Sequence, residues 1–246
     1  MRQYARMVGA LALFLCCALC LRSGFLALQG RGALQIGAEE AEELVIILDA
    51  GHGGEDGGAV GVNGVAEKEL NLLVTNTLAD LLRAAGYHVV QTRTEDTLLY
   101  TPGTQKGHKK QGDLKNRLAF TQRYPNSILV SIHMNTFPNG SCQGTQVWYS
   151  QNNAQSAELA LDVQSKVKAL LQPQNNRKTK AATRSIYLLR NATVPAILVE
   201  CGFLTTPAEC ERLCDDTYRK MLALAIFEAL CEKIPLGTCE SGQNAL

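Results

Sequence analysis

The sequence predicts an α/β fold built on a largely parallel sheet. Two observations carry this. Continuous aliphatic and β-branched runs, such as residues 44–48 and 196–199, suit strands buried on both faces. Stretches with helical spacing of apolar residues separate them, so strand and helix alternate along the chain.

The first thirty residues stand apart. Arg2 and Arg6 precede an apolar run that ends at Leu21, and a second apolar patch follows Arg22 and Ser23. A positive start before a core of about 15 apolar residues matches an export signal. Residues 1–30 are therefore expected to be a signal peptide or a membrane anchor, and the chain to be exported. Residues 31–43 are polar, acidic and rich in Gly and Ala, as in a linker.

The folded domain is expected over residues 44–235. Residues 44–48 form the first strand. Glycines at 51, 53, 54, 57, 58, 61 and 64 follow, so this loop turns tightly and brings backbone close to something. Helical spacing runs from Glu67 to Ala85, with Leu70, Leu73 (with Val74), Thr77, Leu81 and Ala84 near one face. Gly86 suits the helix end. Residues 87–92 read as a strand and residues 94–112 as a long polar loop. Asp113 can cap a helix reaching about Arg123. Strands are expected at 127–132, 144–149, 185–189 and 196–199. Helices are expected at 154–171, 207–213 and 217–233, with a polar, mobile stretch at 172–184 and a flexible tail at 236–246.

Composition narrows the function classes. Of 246 residues, 46% are hydrophobic and 19% charged, with a net charge of +1. That balance argues against a nucleic-acid partner, which calls for a basic excess. Lys and Arg do gather at 106–115 and 177–184, as in solvated loops or in contacts to an anionic polymer. Six of the nine cysteines lie beyond the leader. They contain no Cys-x-x-Cys pair and are expected to be mostly small buried apolar residues.

Three chemically capable residues fall at strand ends. His52 follows the first strand, His133 closes the strand from Ser127, and Glu200 follows the apolar Pro195-Ala196-Ile197-Leu198-Val199. Ligands of open α/β sheets bind beyond the carboxyl ends of the strands. His52 sits between glycines, and alternation turns His133 away from the side of Ile132. Two imidazoles need another ligand, since catalytic zinc usually has three protein ligands and an open position. Glu67 opens the first helix and can supply it. Its setting is equally that of a helix N-terminal carboxylate. Glu200 is costly at the end of so apolar a strand unless paired or functional, and it can act as general base and acid. His88 and His108 lack a comparable setting.

The segments Asp49-Ala50-Gly51-His52-Gly53-Gly54, Glu67-Lys68-Glu69-Leu70-Asn71, Ser131-Ile132-His133-Met134-Asn135 and Val199-Glu200-Cys201-Gly202-Phe203-Leu204 resemble, in order, the signatures of the zinc-dependent N-acetylmuramoyl-L-alanine amidases. The resemblance implies a three-layer α/β/α sandwich around a mixed sheet. It implies Zn2+ on His52, Glu67 and His133, with Glu200 catalytic. The substrate it implies is peptidoglycan, glycan strands bearing stem peptides, cut at the amide between N-acetylmuramic acid and L-alanine. Thr92, Arg93 and Arg117 also resemble family positions, with no catalytic role assigned. Cys201 after Glu200, the stretch Gln143-Gly144-Thr145-Gln146-Val147-Trp148-Tyr149 and the single domain resemble the germination-specific, spore-cortex branch. An activating protein partner is compatible with this reading. Vegetative wall turnover, daughter-cell separation and a non-catalytic wall-binding module are the alternatives.

Overall fold

The structure is a computed structural model, described here for residues 43–100 and 108–234. The expected leader (1–30), the linker up to residue 42 and the tail (236–246) lie outside the described residues, as do residues 101–107 of the polar loop. Among the described residues, no helix is long and apolar enough to cross a membrane.

In chain order the elements are β1 (Val45–Ala50), α1 (Glu67–Ala84), β2 (His88–Gln91), α2 (Lys109–Thr121), β3 (Ser127–Asn135) and β4 (Gln146–Tyr149). There follow α3 (Gln155–Leu170), β5 (Lys180–Ala181), α4 (Tyr187–Asn191), β6 (Ala196–Phe203), α5 (Pro207–Cys214) and α6 (Asp216–Lys233). They form one sheet in the order β2-β1-β3-β6-β4-β5. β2, β1, β3 and β6 are mutually parallel, and β4 pairs antiparallel to β6. The expected α/β/α sandwich with a mostly parallel mixed sheet is the architecture found.

Strand alternation divides the core in two. Ile46, Leu48, Val130 and Ile132 face a large cluster with α1, α3 and α6. Val45, Ile47, Leu129 and Leu198 face a smaller one with Leu118 near the end of α2 and with Leu188 and Leu189 of α4. Toward the carboxyl ends of β1, β3 and β6 the smaller face continues in polar residues. Ile47 leads to Asp49, Leu129 to Ser131 and His133, and Leu198 to Glu200, each by steps of two.

Several local expectations change. The buried stripe of α1 is Leu70, Val74, Leu78 and Leu82, whereas Leu73 is exposed. Both stripes are apolar, and packing of α1 against the sheet and α6 selects between them. α1 ends as expected at Gly86, whose φ is 94°. The Gly86 and Tyr87 amides bond the carbonyls of Arg83 and Leu82. α2 begins at Lys109, so Asp113 is inside the helix rather than at its cap. Residues 185–189 are not a strand: Tyr187–Asn191 is a one-turn helix that buries Leu188 and Leu189. A short apolar run does not distinguish the two by periodicity. The stretch read as mobile contains β5.

Candidate metal centre and its carboxylate

The loop after β1 is built to hold His52 in an unfavourable backbone state. His52 has φ 61°, the one non-glycine residue with positive φ among the described residues. Such conformations cost on the order of 1–3 kcal/mol and persist where surroundings fix them. Two guanidiniums do the fixing. Arg93 donates from Nε to Ala50 O (2.9 Å) and from Nη2 to Gly51 O (2.9 Å). Arg117 donates from Nη1 to Ala50 O (2.7 Å) and from Nη2 to His52 O (2.6 Å). Three successive carbonyls are thereby satisfied. Two glycines allow the close packing that follows. A Cβ on Gly51 would meet the His133 ring at 2.3 Å, and one on Gly58 would meet Glu67 Oε2 at 2.6 Å.

Glu67 is the first residue of α1 and is buried. Its carboxylate bonds no backbone amide of its own helix among the described residues. Oε2 accepts from Ala59 N (2.8 Å), and Oε1 from Met134 N (3.1 Å) and Asn71 Nδ2 (3.2 Å). Oε1 lies 3.0 Å from His133 Nδ1, and Oε2 lies 3.3 Å from His52 Nε2. That arrangement joins Glu67 to both histidines and not to the backbone of its own helix terminus. Burial pushes the Glu67 carboxyl up, but His133 and His52 outweigh it and hold it well below the usual carboxylate range. Burial likewise opposes charge on His52, and Glu67 and Asp56 overcome it, raising the imidazole. Asp56 Oδ2 is 2.9 Å from His52 Nδ1, at ion-pair distance but outside hydrogen-bonding geometry.

Ligand atoms of His52, Glu67 and His133 all lie within 4.8 Å of one another, so the three could hold a metal ion. Two imidazole nitrogens and one buried carboxylate oxygen fit a divalent cation, which competes with protons for the same atoms. Glu69 is exposed, as are His88, beside Glu43, and His108.

Glu200 pairs in register with His133 across β3 and β6. Its Oε2 is buried and has no hydrogen-bond partner among the described residues. Burial pushes its pKa up to about 7, with His133 and His52 opposing and Glu67 adding. An unpartnered buried carboxylate oxygen calls for a functional explanation. Cys201 points to the opposite side, into the large core, and is fully buried. A Cys–His hydrolase built on Cys201 therefore has no geometric basis.

The structure adds a charge network with no assigned role in the sequence reading. Asp49 is buried, accepting from Arg117 Nη1 (2.6 Å), Ser131 Oγ (2.6 Å) and Thr92 Oγ1 (2.7 Å). Arg117 Nε also donates to Asp113 Oδ2 (2.7 Å). The signal was present: like Glu200, Asp49 is a carboxylate at the end of an apolar strand. Burial pushes Asp49 up, but Arg117, Ser131, His133 and Thr92 bring it from 3.8 down to about 2. A depressed folded pKa gives stability that is present above 3.8 and lost as pH falls through about 2. The expected loss across that window is about 2 kcal/mol, flattened in Asp49→Asn, as denaturant titrations between pH 2 and 5 would measure.

Residues 46–232 match the family model Amidase_3, described as N-acetylmuramoyl-L-alanine amidase. The germination-specific N-acetylmuramoyl-L-alanine amidase of Bacillus subtilis is 35% identical over 188 residues, covering 76% of this chain and 78% of that protein. The CwlD amidase of Clostridioides difficile, solved in complex with the GerS lipoprotein, superposes with a TM-score of 0.73 at 36% identity. The match covers 76% of this chain and 96% of that one. An N-acetylmuramoyl-L-alanine amidase from Clostridium difficile 630 gives a TM-score of 0.67 at 31% identity over 77% of this chain and 96% of the other. The chain belongs to the N-acetylmuramoyl-L-alanine amidase family.

Proposed function

We propose that this chain hydrolyses the amide between N-acetylmuramic acid and L-alanine of peptidoglycan, with zinc on His52, Glu67 and His133 and Glu200 as general base and acid. The observation that carries it is Glu200 Oε2, buried without a partner on the strand beside His133. Two histidines and one carboxylate suit catalytic zinc, which usually has three protein ligands and keeps a fourth position open. When bound, zinc would supply a Lewis acid that polarises the carbonyl and lowers the pKa of water. Glu200 takes the proton of the attacking water and delivers one to the leaving amine. Arg93 and Arg117 hold the His52 loop, so the donor set is pre-organised.

The germination-specific relative and the CwlD complex support a role in spore-cortex maturation and a protein partner for this chain as well. The leader supports an exported enzyme acting outside the cytoplasm, released by cleavage or kept as an anchored protein. Muropeptide mass spectrometry on cortex and vegetative sacculi distinguishes the cortex role from vegetative turnover.

Metal removal tests the centre. The metal-stripped, folded chain is expected to cleave no muropeptide and to recover on addition of one zinc per chain. Free zinc at 100 times its Kd should raise stability by about 2.7 kcal/mol, seen as a higher Tm. Full cleavage by a folded, metal-free sample would refute the proposal.

A further inference from the structure

We propose that Arg177 is a specificity residue that binds a carboxylate of the leaving peptide, so that the chain prefers acidic stem peptides over their amidated forms. The inference rests on the amidase reading above. It absorbs part of the basic stretch at residues 177–184.

Arg177 is held in one orientation. Its Nε donates to Gln143 O (2.9 Å), its Nη1 to Gln146 Oε1 (3.1 Å), and its guanidinium lies 4.4 Å from the centre of the Phe203 ring. Nη2 makes no hydrogen bond to the described residues, and none of their carboxylates lies within ion-pair distance of the guanidinium. Glu209 is nearby: its oxygens accept from the Gly144 and Phe203 amides, and the guanidiniums of Arg212 and Arg177 both favour its charged form without Arg177 reaching ion-pair distance. Arg177 is half-buried, so part of it is accessible to a ligand. A fixed guanidinium with an unused edge suits a carboxylate, which it can bind at little cost in lost freedom.

Its position is set by the sheet. Gln146 stands directly opposite Glu200 in the antiparallel β4–β6 pair. Directly opposed residues share a face with Cβ atoms about 5 Å apart, which puts the Arg177 fork within one side chain of Glu200. Glu200 hands its proton to the nitrogen of L-alanine. An extended peptide advances about 3.5 Å per residue, so the fork falls within reach of one or two residues past that nitrogen. A free carboxylate at the second residue of the leaving peptide would meet the fork there. Beyond Arg177 lies a cavity of about 720 Å³, also lined by Arg212, Glu209, Gln143, Gln172, Asn175 and Tyr218. It has room and polar groups for the rest of the peptide.

The test uses the zinc-loaded chain and two muramoyl peptides that differ only in a free carboxylate or a carboxamide at residue two. Wild type is expected to favour the free acid in kcat/KM by about 10–100-fold, the size of a lost charge-assisted pair. Arg177→Gln should lose that preference through KM on the acid, with less than about threefold change on the amide. Arg177→Lys should recover part of it. Equal losses on both substrates would make Arg177 a structural residue and overturn the proposal, as would an unchanged preference. Should Arg177→Gln not fold, the wild-type ratio and Arg177→Lys decide. Hydrolysis of both peptides without preference sinks the subsite alone, whereas hydrolysis of neither by the zinc-loaded chain sinks the amidase reading beneath it.

Discussion

Glu200→Gln is expected to keep its metal and lose turnover by about 10²–10⁴-fold. The two side chains have nearly the same shape, and Glu200 is not one of the three donors, so zinc content should match wild type. A carboxamide neither takes a proton from water nor returns one to an amine. The loss should therefore fall on kcat with KM little changed. Wild type carries a second signature. Burial raises the folded pKa of Glu200 to about 7, above the 4.5 of an ordinary glutamate. For a carboxyl shifted upward the sign is the reverse of the Asp49 case. In the metal-free chain, stability falls as pH rises from 4.5 through about 7, and Glu200→Gln lacks that fall. In the loaded enzyme the cation favours the carboxylate, which moves the acid limb of kcat below about 7. Turnover of Glu200→Gln within a few-fold of wild type would remove Glu200 from the mechanism.

The sheet was legible because its strands are buried on both faces and leave unbroken apolar runs. The site was legible for a related reason. A polar residue that ends such a run has few explanations, and His133 and Glu200 both stand there. The Glu67 expectation rested on resemblance, since its first-turn position serves equally for a helix terminus. Its contacts run to Ala59, Met134 and two histidines that are distant in sequence. The misread elements share one cause. Residues 185–189 and the burial side of α1 are decided by what packs against them, and local periodicity does not carry that information. Arg117 was hidden more deeply. On a helix that looks polar and exposed, it is among the largest fully buried side chains of the domain.

That burial makes Arg117→Met the most disruptive single change expected outside the donor set. It strips the countercharge from Asp49 and Asp113, each nearly inaccessible to solvent. Breaking a buried pair in this way costs about 3–5 kcal/mol. In a domain of this size each kcal/mol lowers Tm by about 2–4 °C, so the drop should be about 6–20 °C. A variant within about 1 kcal/mol of wild type would show that the network is not what stabilises this edge of the sheet. Stability is only half of the expectation, because Arg117 Nη2 also holds the His52 carbonyl in a strained loop. Zinc affinity should fall in Arg117→Met even at temperatures where the variant is fully folded. The triple variant Asp49→Asn/Asp113→Asn/Arg117→Met separates the two effects. Removing both carboxylates relieves the unpaired buried charge and should restore much of the lost Tm. It does not return a donor to the His52 carbonyl, so zinc affinity should stay low. Recovery of both together would mean that His52 is positioned by the general stability of the domain and not by the guanidinium beneath it.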